Sequence, residues 1–317
     1  MRAYIIRRLL LIIPTLFLAS LIVFFMIRLI PGNVIDLMVS EQQSVTGMNR
    51  QAIEHELGLD VPIHIQYGRW AGNIFLHGSL GLSLWKKIPV TGLILERLPI
   101  TLELGLMAII VALIIALPIG VYSATRQDTA GDYMGRTISI LAMSVPGFWL
   151  GTMIMVFPAL WWGWSPQVQL IRFVDDPLSN LGMFIIPATV DGLAMSGVTM
   201  RMTRTMMLEV LRQDYIRTAW SKGLRERVVV LRHALKNALI PVVTIIGLQM
   251  PIVIGGTVIM ETIFALPGIG LLMYNGILNR DYPIVSGVML FMATFVLIMN
   301  LIVDLTYSFL DPRVQYR

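Results

Sequence analysis

The residues best able to do chemistry in this sequence lie in one basic segment between two apolar stretches. From Arg204 to Pro241 the cations outnumber the acids, which are Glu209, Asp214 and Glu226. The cations are Arg204, Arg212, Arg217, Lys222, Arg225, Arg227, Arg232 and Lys236. Positive charge of this kind holds a loop on one side of a membrane, attracts anionic lipid, or binds a partner protein.

The same segment has an amphipathic pattern that the first two roles do not require. Before Gly223, apolar or small residues recur at every fourth position and are predicted to share one helix face. They are Met207, Leu211, Tyr215 and Ala219. A second apolar stripe follows Gly223: Val228, Leu231, Leu235 and Leu239. Gly223 suits the end of the first helix, where a positive φ is needed. We therefore predict a basic hairpin (residues 204–241) of two helices, and we favour docking to a soluble partner.

The residue patterns of most enzymes and metal proteins are missing from the sequence. It has no cysteine, and its four histidines show no ligand spacing. It contains neither a GxxxxGK[ST] phosphate loop nor a metalloprotease or nucleophile-elbow motif. We predict no catalytic residue, no metal and no cofactor in this chain. Its positive charges lie between apolar runs, which argues against binding of nucleic acid.

One acid, Asp191, lies within a predicted membrane span. Ionisable residues at such depth are rare and often functional. The surrounding string PATVDGLAMSG is rich in small residues, which permit close helix contact or a wet cavity. Asp191 therefore either faces a translocation pathway or is a buried, hydrogen-bonded structural acid.

A membrane scaffold must position these residues. The chain has 317 residues, 56% of them hydrophobic and 14% charged, against about 25% charged in soluble domains. A spanning helix needs about 20 mostly apolar residues, and six segments qualify, which predicts an all-α membrane protein with six transmembrane helices. They are about 9–30, 101–124, 137–162, 181–203, 242–264 and 286–309. The third is the weakest, because Pro146, Pro158 and a Trp cluster interrupt it.

The excess of Lys and Arg in alternate connections predicts cytosolic N- and C-termini and a cytosolic basic hairpin. The predicted regions are an N-terminal transmembrane helix (1–30), a small external subdomain of short helices between spans one and two (31–96), a membrane core (97–309) and a cytosolic tail (310–317). The first helix is interpreted as a retained span, because its apolar run exceeds that of a signal peptide.

Several strings, in the same order along nearly the whole chain, resemble a known transporter family. They include RRLLLIIPTL, LGLDVPIHIQY, SVPGFWLG, DYIRTAWSKGLRERVVVLRHALKNALIPV, ETIFALPGIG and LIVDLTYSFLDPR. The chain resembles the first permease subunit of dipeptide, oligopeptide and nickel ATP-binding-cassette (ABC) importers. The general importer motif E-A-A-x3-G-x9-I-x-L-P is matched at Ala219 and Gly223, and it is not matched at Arg217, Thr218, His233 and Lys236. This departure looks typical of the peptide subgroup.

The resemblance implies a type I ABC importer permease fold in a prokaryotic (inner) cell membrane. It implies three kinds of protein partner: a second homologous permease subunit, two cytosolic ATPases that bind the ATP, and an extracytoplasmic solute-binding protein. It implies uptake of di- or oligopeptides, with nickel chelates, glutathione or oligosaccharides as alternatives. A stand-alone channel or secondary transporter is a distant alternative, and an intramembrane enzyme is disfavoured by the missing catalytic motifs.

The resemblance also assigns candidate sites. Eight residues of the basic hairpin are expected to couple to the ATPases: Asp214, Tyr215, Arg217, Ala219, Lys222, Gly223, Leu224 and Arg225. Five residues after span five are expected to form a turn at an external gate or docking surface: Glu261, Phe264, Pro267, Gly268 and Gly270. A tight turn that only satisfies a helix end is the alternative for that string. Asp191 is the candidate pathway residue.

Overall fold

A computed structural model describes residues 2–29, 60–164 and 170–310, and every regular element in these ranges is a helix. In chain order they are α1 (Arg2–Leu29), α2 (Ile63–His77), α3 (Val90–Thr125), α4 (Ala130–Ser144), α5 (Gly147–Trp162), α6 (Pro177–Leu211), α7 (Asp214–Ser221), α8 (Glu226–Val228), the π-helix π1 (Val229–Leu235), α9 (Lys236–Ile263), α10 (Ile269–Leu278) and α11 (Tyr282–Leu310). Leu82 and Pro89 form an isolated antiparallel bridge. The predicted all-α architecture is confirmed.

Five helical runs are long and apolar enough to cross a membrane: α1, α3, α6, the run from α8 into α9, and α11. Helices α4 and α5 qualify together as a sixth, bent by 86° at a short break. The break coincides with Pro146, which precedes the first residue of α5 and has no N–H with which to continue α4. Val145 before it is extended, as a residue preceding proline tends to be. By length and composition the six predicted spans are present, the third as a bent pair.

Helix α6 carries both Asp191 and the start of the basic hairpin, and its beginning is set by local chemistry. The Asp176 side chain accepts hydrogen bonds from the backbone N–H of Leu178 and Ser179, at 3.1 and 3.2 Å. Pro177 occupies the first helical position, where a missing N–H is harmless. The hydroxyl of Ser179, with these N–H groups, holds the pKa of Asp176 below its usual value. The N-cap therefore fixes where α6 begins.

The chain forms two compact units. Unit 1 comprises Met1–Leu98 and Leu271–Leu297, and unit 2 comprises Pro99–Gly270 and Ile298–Arg317. The predicted regional boundaries differ from this division and stay a prediction. Residues 31–59 of the predicted external subdomain lie outside the described residues.

In unit 1, aromatic residues join α2 to α1. The Phe24 ring lies 5.2 Å from that of Tyr67 and 5.6 Å from that of Trp70. The hydroxyls of Ser20 and Tyr67 share a hydrogen bond of 2.9 Å. The buried Asp281 carboxylate accepts hydrogen bonds from the Ser83 hydroxyl and the Leu84 N–H. These contacts anchor the segment between α2 and α3 to the start of α11.

In unit 2, α6 packs against α3, α4 and α9, and glycines allow the close approach. A Cβ on Gly192 would lie 2.7 Å from the Ala108 carbonyl oxygen of α3. A Cβ on Gly197 would lie 2.7 Å from the Ser139 carbonyl oxygen of α4. The Ser139 hydroxyl donates to the Gly197 carbonyl at 2.8 Å. Gly192 and Gly197, near Asp191, thus serve close helix contact, one of the two uses predicted for the small residues there.

Candidate functional site

The basic hairpin begins as the last turns of α6 and continues through α7, a turn, α8 and π1. It is not two continuous helices, because α6 ends at Leu211 and α7 begins at Asp214. Gly223 follows the end of α7 and has a φ of +73°, as predicted for a glycine that ends a helix. Its N–H donates to the Trp220 carbonyl at 2.9 Å, and the Leu224 N–H reaches the Ala219 carbonyl at 3.4 Å. These bonds close the end of α7 in the way glycine-terminated helices do.

One face of the basic hairpin is buried in unit 2. Ile216 and Ala219 of α7 pack with Val229, Val230 and Ala234 of π1. Met207 of α6, Ala124 of α3 and Ala238 of α9 complete this cluster. Fixing α7 through an apolar contact of this kind gives it a defined orientation on the membrane helices. The buried face makes the segment a rigid extension of unit 2.

The opposite face is exposed, and it is both aromatic and cationic. Tyr215 and Trp220 are each 45% exposed, and Leu224 lies at the turn beside them. Arg204 is held inside unit 2, whereas the other seven cations are exposed: Arg212, Arg217, Lys222, Arg225, Arg227, Arg232 and Lys236. Large aromatic and arginine side chains are the types enriched in the centres of protein interfaces. This face can bind a protein surface that carries acidic groups.

Both predicted apolar stripes are wrong in detail. Tyr215 does not share the buried face of Met207 and Ala219, because the break at residues 212–213 rotates α7 relative to α6. After Gly223, Val228 and Leu231 are exposed. The buried residues there are Val229, Val230, Ala234 and Ala238. The π-helix explains the shift, since its i→i+5 hydrogen bonds change which positions face inward.

A buried ion cluster holds the base of the basic hairpin. The Asp132 carboxylate of α4 is fully buried and accepts two hydrogen bonds from Arg204 of α6, at 2.8 and 2.9 Å. It also accepts hydrogen bonds from Arg136, from the Ser123 hydroxyl and from the Asp128 N–H. A bidentate arginine–carboxylate pair is strong and directional. The first cation of the segment is therefore structural, not part of the exposed face.

Three weaker contacts brace the exposed parts. Arg126, after α3, lies 3.3 Å from Glu226 of α8. The Asn237 side chain donates to the Tyr215 hydroxyl at 2.9 Å. Arg217 and Asp214 approach to 3.5 Å, and both are largely exposed. Exposed ion pairs contribute little stability, so these contacts orient the hairpin more than they stabilise it.

The string from Glu261 to Gly270 forms a tight turn inside unit 2. Glu261 is fully buried, and its carboxylate accepts a hydrogen bond from the Thr101 hydroxyl at 2.7 Å. That hydroxyl in turn accepts from the Ile269 N–H at 2.9 Å. Gly268 and Gly270 lie directly against the carboxylate, where a Cβ would overlap it. Phe264 is buried and Pro267 half-buried. This geometry favours the tight-turn interpretation, and a gate role stays a prediction.

Asp191 lies close enough to Glu261 for their carboxylates to interact electrostatically. Its Oδ2 is buried and has no hydrogen-bond partner among the described residues. The structure thus brings together two candidates that lie 70 positions apart in the sequence. The hydrogen-bonded structural role predicted as one alternative for Asp191 lacks a partner for that oxygen within the described part of the chain.

Comparison with known proteins identifies the family. The model for "Binding-protein-dependent transport system inner membrane component" matches residues 116–316. The model for the N-terminal part of such membrane components matches residues 1–105. The chain belongs to this family of transport permeases. It is accordingly a multi-pass inner-membrane protein that acts in transport and is not itself an enzyme.

Relatives resemble this permease over its full length. A putative peptide transport system permease protein of Brucella abortus is 40% identical over 316 residues, which cover 100% of both chains. The oligopeptide transport system permease protein AppB of Bacillus subtilis is 39% identical, again covering 100% of both. The dipeptide transport system permease protein DppB of Escherichia coli is 37% identical over 340 residues, with the same coverage.

A solved structure supports the fold. A chain in the crystal structure of an amino acid ABC transporter with histidines matches with a TM-score of 0.51. The match covers 71% of this permease and 95% of that chain, at 12% identity. At this identity the likeness shows the fold alone, which is that of an ABC transporter membrane subunit.

The sequence did not reveal the ion cluster of this permease. The spacing of Asp132 and Arg136 is a visible signal, since residues four apart are neighbours on a helix. The contribution of Arg204, 72 positions from Asp132, is set by the packing of α4 against α6. Thr101 as the partner of Glu261 likewise depends on long-range packing. Among the described residues no group of three or more His, Asp or Glu is placed to hold a metal ion.

Proposed function

We propose that this permease is one of two membrane subunits of an ATP-driven importer that takes up di- or oligopeptides. An extracytoplasmic solute-binding protein delivers the peptide, and the two permease subunits together form the pathway. Two separate ATPase subunits bind and hydrolyse the ATP. The relatives from Brucella abortus, Bacillus subtilis and Escherichia coli, which are named as peptide permeases and are 37–40% identical, support the substrate class.

The proposal that the ATPases drive this permease rests on the basic hairpin, which has one buried face and one exposed face. Its apolar face is anchored in unit 2, and its other face presents Tyr215, Trp220 and cations. An ATPase can drive transport only if its own states bind differently to the states of the membrane subunit. A rigid, anchored hairpin transmits such a difference to α3 and α6, against which it packs. The proposed contacts are Asp214, Tyr215, Arg217, Lys222, Gly223, Leu224 and Arg225. Ala219, the eighth residue expected to couple to the ATPases, lies on the buried face of α7 and is not available for direct contact.

Asp191 is the proposed pathway residue. Its unpartnered, buried Oδ2 lies in a span, where an acid without a partner is unfavourable. The ammonium group of a peptide passing through the pathway offers the missing donor. Glu261 is proposed to contribute negative charge at the same position, through its interaction with Asp191.

The docking proposal is tested by charge reversal at one exposed arginine. Arg217→Glu places a negative charge on the proposed interface without disturbing the buried face. Affinity-tagged permease is purified with its genomically adjacent ATPases, and the ATPase recovered per permease is measured. We expect Arg217→Glu to reduce recovery by about tenfold, since close interfacial charge pairs couple strongly.

Arg172→Glu is the matched control, because Arg172 is also exposed, lies in unit 2 and is far from the hairpin in the chain. We expect it to leave recovery unchanged. Equal recovery of ATPase with both variants would remove the basic hairpin from the interface. The substrate class is tested separately, by competition of unlabelled dipeptides, nickel chelates and glutathione against peptide uptake.

A further inference from the structure

Unit 1 contains a cavity of about 640 Å³ that the transport account does not use. Its walls are the end of α1, one face of α2, the segment 79–87 and the start of α11. On α2 the lining residues Gln66, Arg69, Trp70 and Asn73 recur at helical spacing, so a single face contributes. Binding sites for small ligands typically measure about 300–1,000 Å³. The volume of this cavity lies within that range, so it can hold a small ligand.

The described lining of this cavity is cationic. Arg28, Arg69 and Lys87 line it, and no Asp or Glu appears among the described lining residues. The Arg28 guanidinium donates to the Phe24 carbonyl and to Gln66, and it stacks 3.5 Å above the Phe24 ring. All three contacts are to uncharged groups. The charge of this exposed guanidinium is therefore not balanced by a carboxylate of any described lining residue.

Arg69 provides a second donor. It is exposed at the mouth of the same cavity, and its side chain makes no hydrogen bond or ion pair with any described residue. Each of the two guanidinium groups offers parallel N–H donors in a fixed planar geometry. That geometry matches phosphate and carboxylate oxygens better than a lysine ammonium does.

The location of the cavity selects the kind of anion. Arg28 is the last residue of Arg8–Arg28, a stretch long and apolar enough to cross a membrane. Arginine at the end of a span lies at the depth of the lipid headgroups. The cavity also has an apolar wall that includes Phe24, Ile27 and Trp70. Cations beside an apolar wall at this depth fit an amphiphile with a phosphate headgroup.

We propose that this cavity binds the headgroup of an anionic phospholipid. Arg28 and Arg69 bind the phosphate, and the apolar wall contacts the glycerol end of the acyl chains. Anionic lipid is favoured over zwitterionic lipid because no Asp or Glu of the described lining is available to balance Arg28 and Arg69. The bound lipid fixes α2 against the end of α1. Lipid binding in this cavity does not depend on which solute the permease transports.

The test uses the purified full-length permease in detergent and counts bound lipids by native mass spectrometry. Phosphatidylglycerol, phosphatidylcholine and inorganic phosphate are the probes. We expect one phosphatidylglycerol to bind at least tenfold more tightly than phosphatidylcholine. Arg69→Gln should weaken that binding about fivefold, and Arg28→Gln with Arg69→Gln at least tenfold. Arg69 has no partner among the described residues, so its loss does not compromise folding.

Arg97→Gln is the control, because Arg97 lies in unit 1 and does not line the cavity. We expect its lipid binding to match the wild type. Arg28→Lys should bind more weakly than wild type and more tightly than Arg28→Gln. Equal binding of the two lipids, or wild-type binding by Arg69→Gln, overturns the proposal. Displacement of phosphatidylglycerol by millimolar inorganic phosphate also overturns it, in favour of a free anion.

Discussion

Asp132 shows how single residues in this permease combine charge with burial. Its carboxylate is fully buried, yet two arginines, a hydroxyl and a backbone N–H surround it. The cluster joins α4 to the point where α6 enters the basic hairpin. A buried carboxylate with this many donors is favourable only while every donor remains. The ion cluster is therefore a sensitive structural element just above the proposed ATPase contact.

Asp132→Asn tests this role. The substitution leaves Arg204 partly buried without its counter-charge, so we expect a loss of about 3–5 kcal/mol of unfolding free energy. The measurement is thermal or denaturant unfolding of the detergent-purified permease. Asp128→Asn is the control, because Asp128 is 64% exposed and reaches only the edge of Arg136 at 3.4 Å. Its loss should stay below about 0.5 kcal/mol, and equal effects of the two variants would contradict the account.

Among the helices, the contact of α6 with α4 depends on one missing side chain. At Gly197 the helices approach so closely that a Cβ would overlap Met143 and the Ser139 carbonyl oxygen. In membranes, helices associate largely through such close packing of small residues. This contact also holds Arg204 within reach of Asp132, so the helix packing and the ion cluster depend on each other.

Gly197→Ala should therefore destabilise the permease by about 1–3 kcal/mol, the usual range for overpacking. The comparison is with Gly182→Ala on the same helix, where a Cβ would meet nothing within 4 Å. That variant should be neutral or stabilising by up to about 1 kcal/mol, because alanine favours helix. Thermal unfolding in detergent distinguishes the two, and a neutral Gly197→Ala would contradict the packing argument.

The sequence predicts the helices far better than it predicts their faces. Apolar length alone located the six spans, and a helix-ending role for Gly223 followed from its type and position. The stripes failed because the break near Arg212 and the π-helix at Val229–Leu235 change the helical register. No glycine or proline in the sequence marks either of these two deviations. The pairing of Asp132 with Arg204 also could not be predicted from the sequence, because the two side chains meet only when α4 and α6 pack together.

For the whole molecule, the orientation of the permease in the membrane remains a prediction from the Lys and Arg distribution. The chain has no cysteine, so single cysteines report topology without background. Lys222→Cys on the basic hairpin and Val174→Cys, at a site 91% exposed after α5, are suitable probes. We expect a membrane-impermeant maleimide to label Val174→Cys in intact spheroplasts and Lys222→Cys only after lysis. The reverse pattern would place the basic hairpin on the wrong side for cytosolic ATPases.

The central claim is that ATP energy enters this permease through the exposed face of the basic hairpin. The direct measurement is peptide uptake into proteoliposomes that contain the permease, its companion permease, the adjacent ATPases and the solute-binding protein. We expect uptake to require ATP and to fall at least tenfold in Leu224→Glu, which puts a charge at the tip. Val174→Glu, an exposed site outside the hairpin, should transport normally. Uptake that proceeds without ATP, or that Leu224→Glu leaves unchanged, would contradict the account.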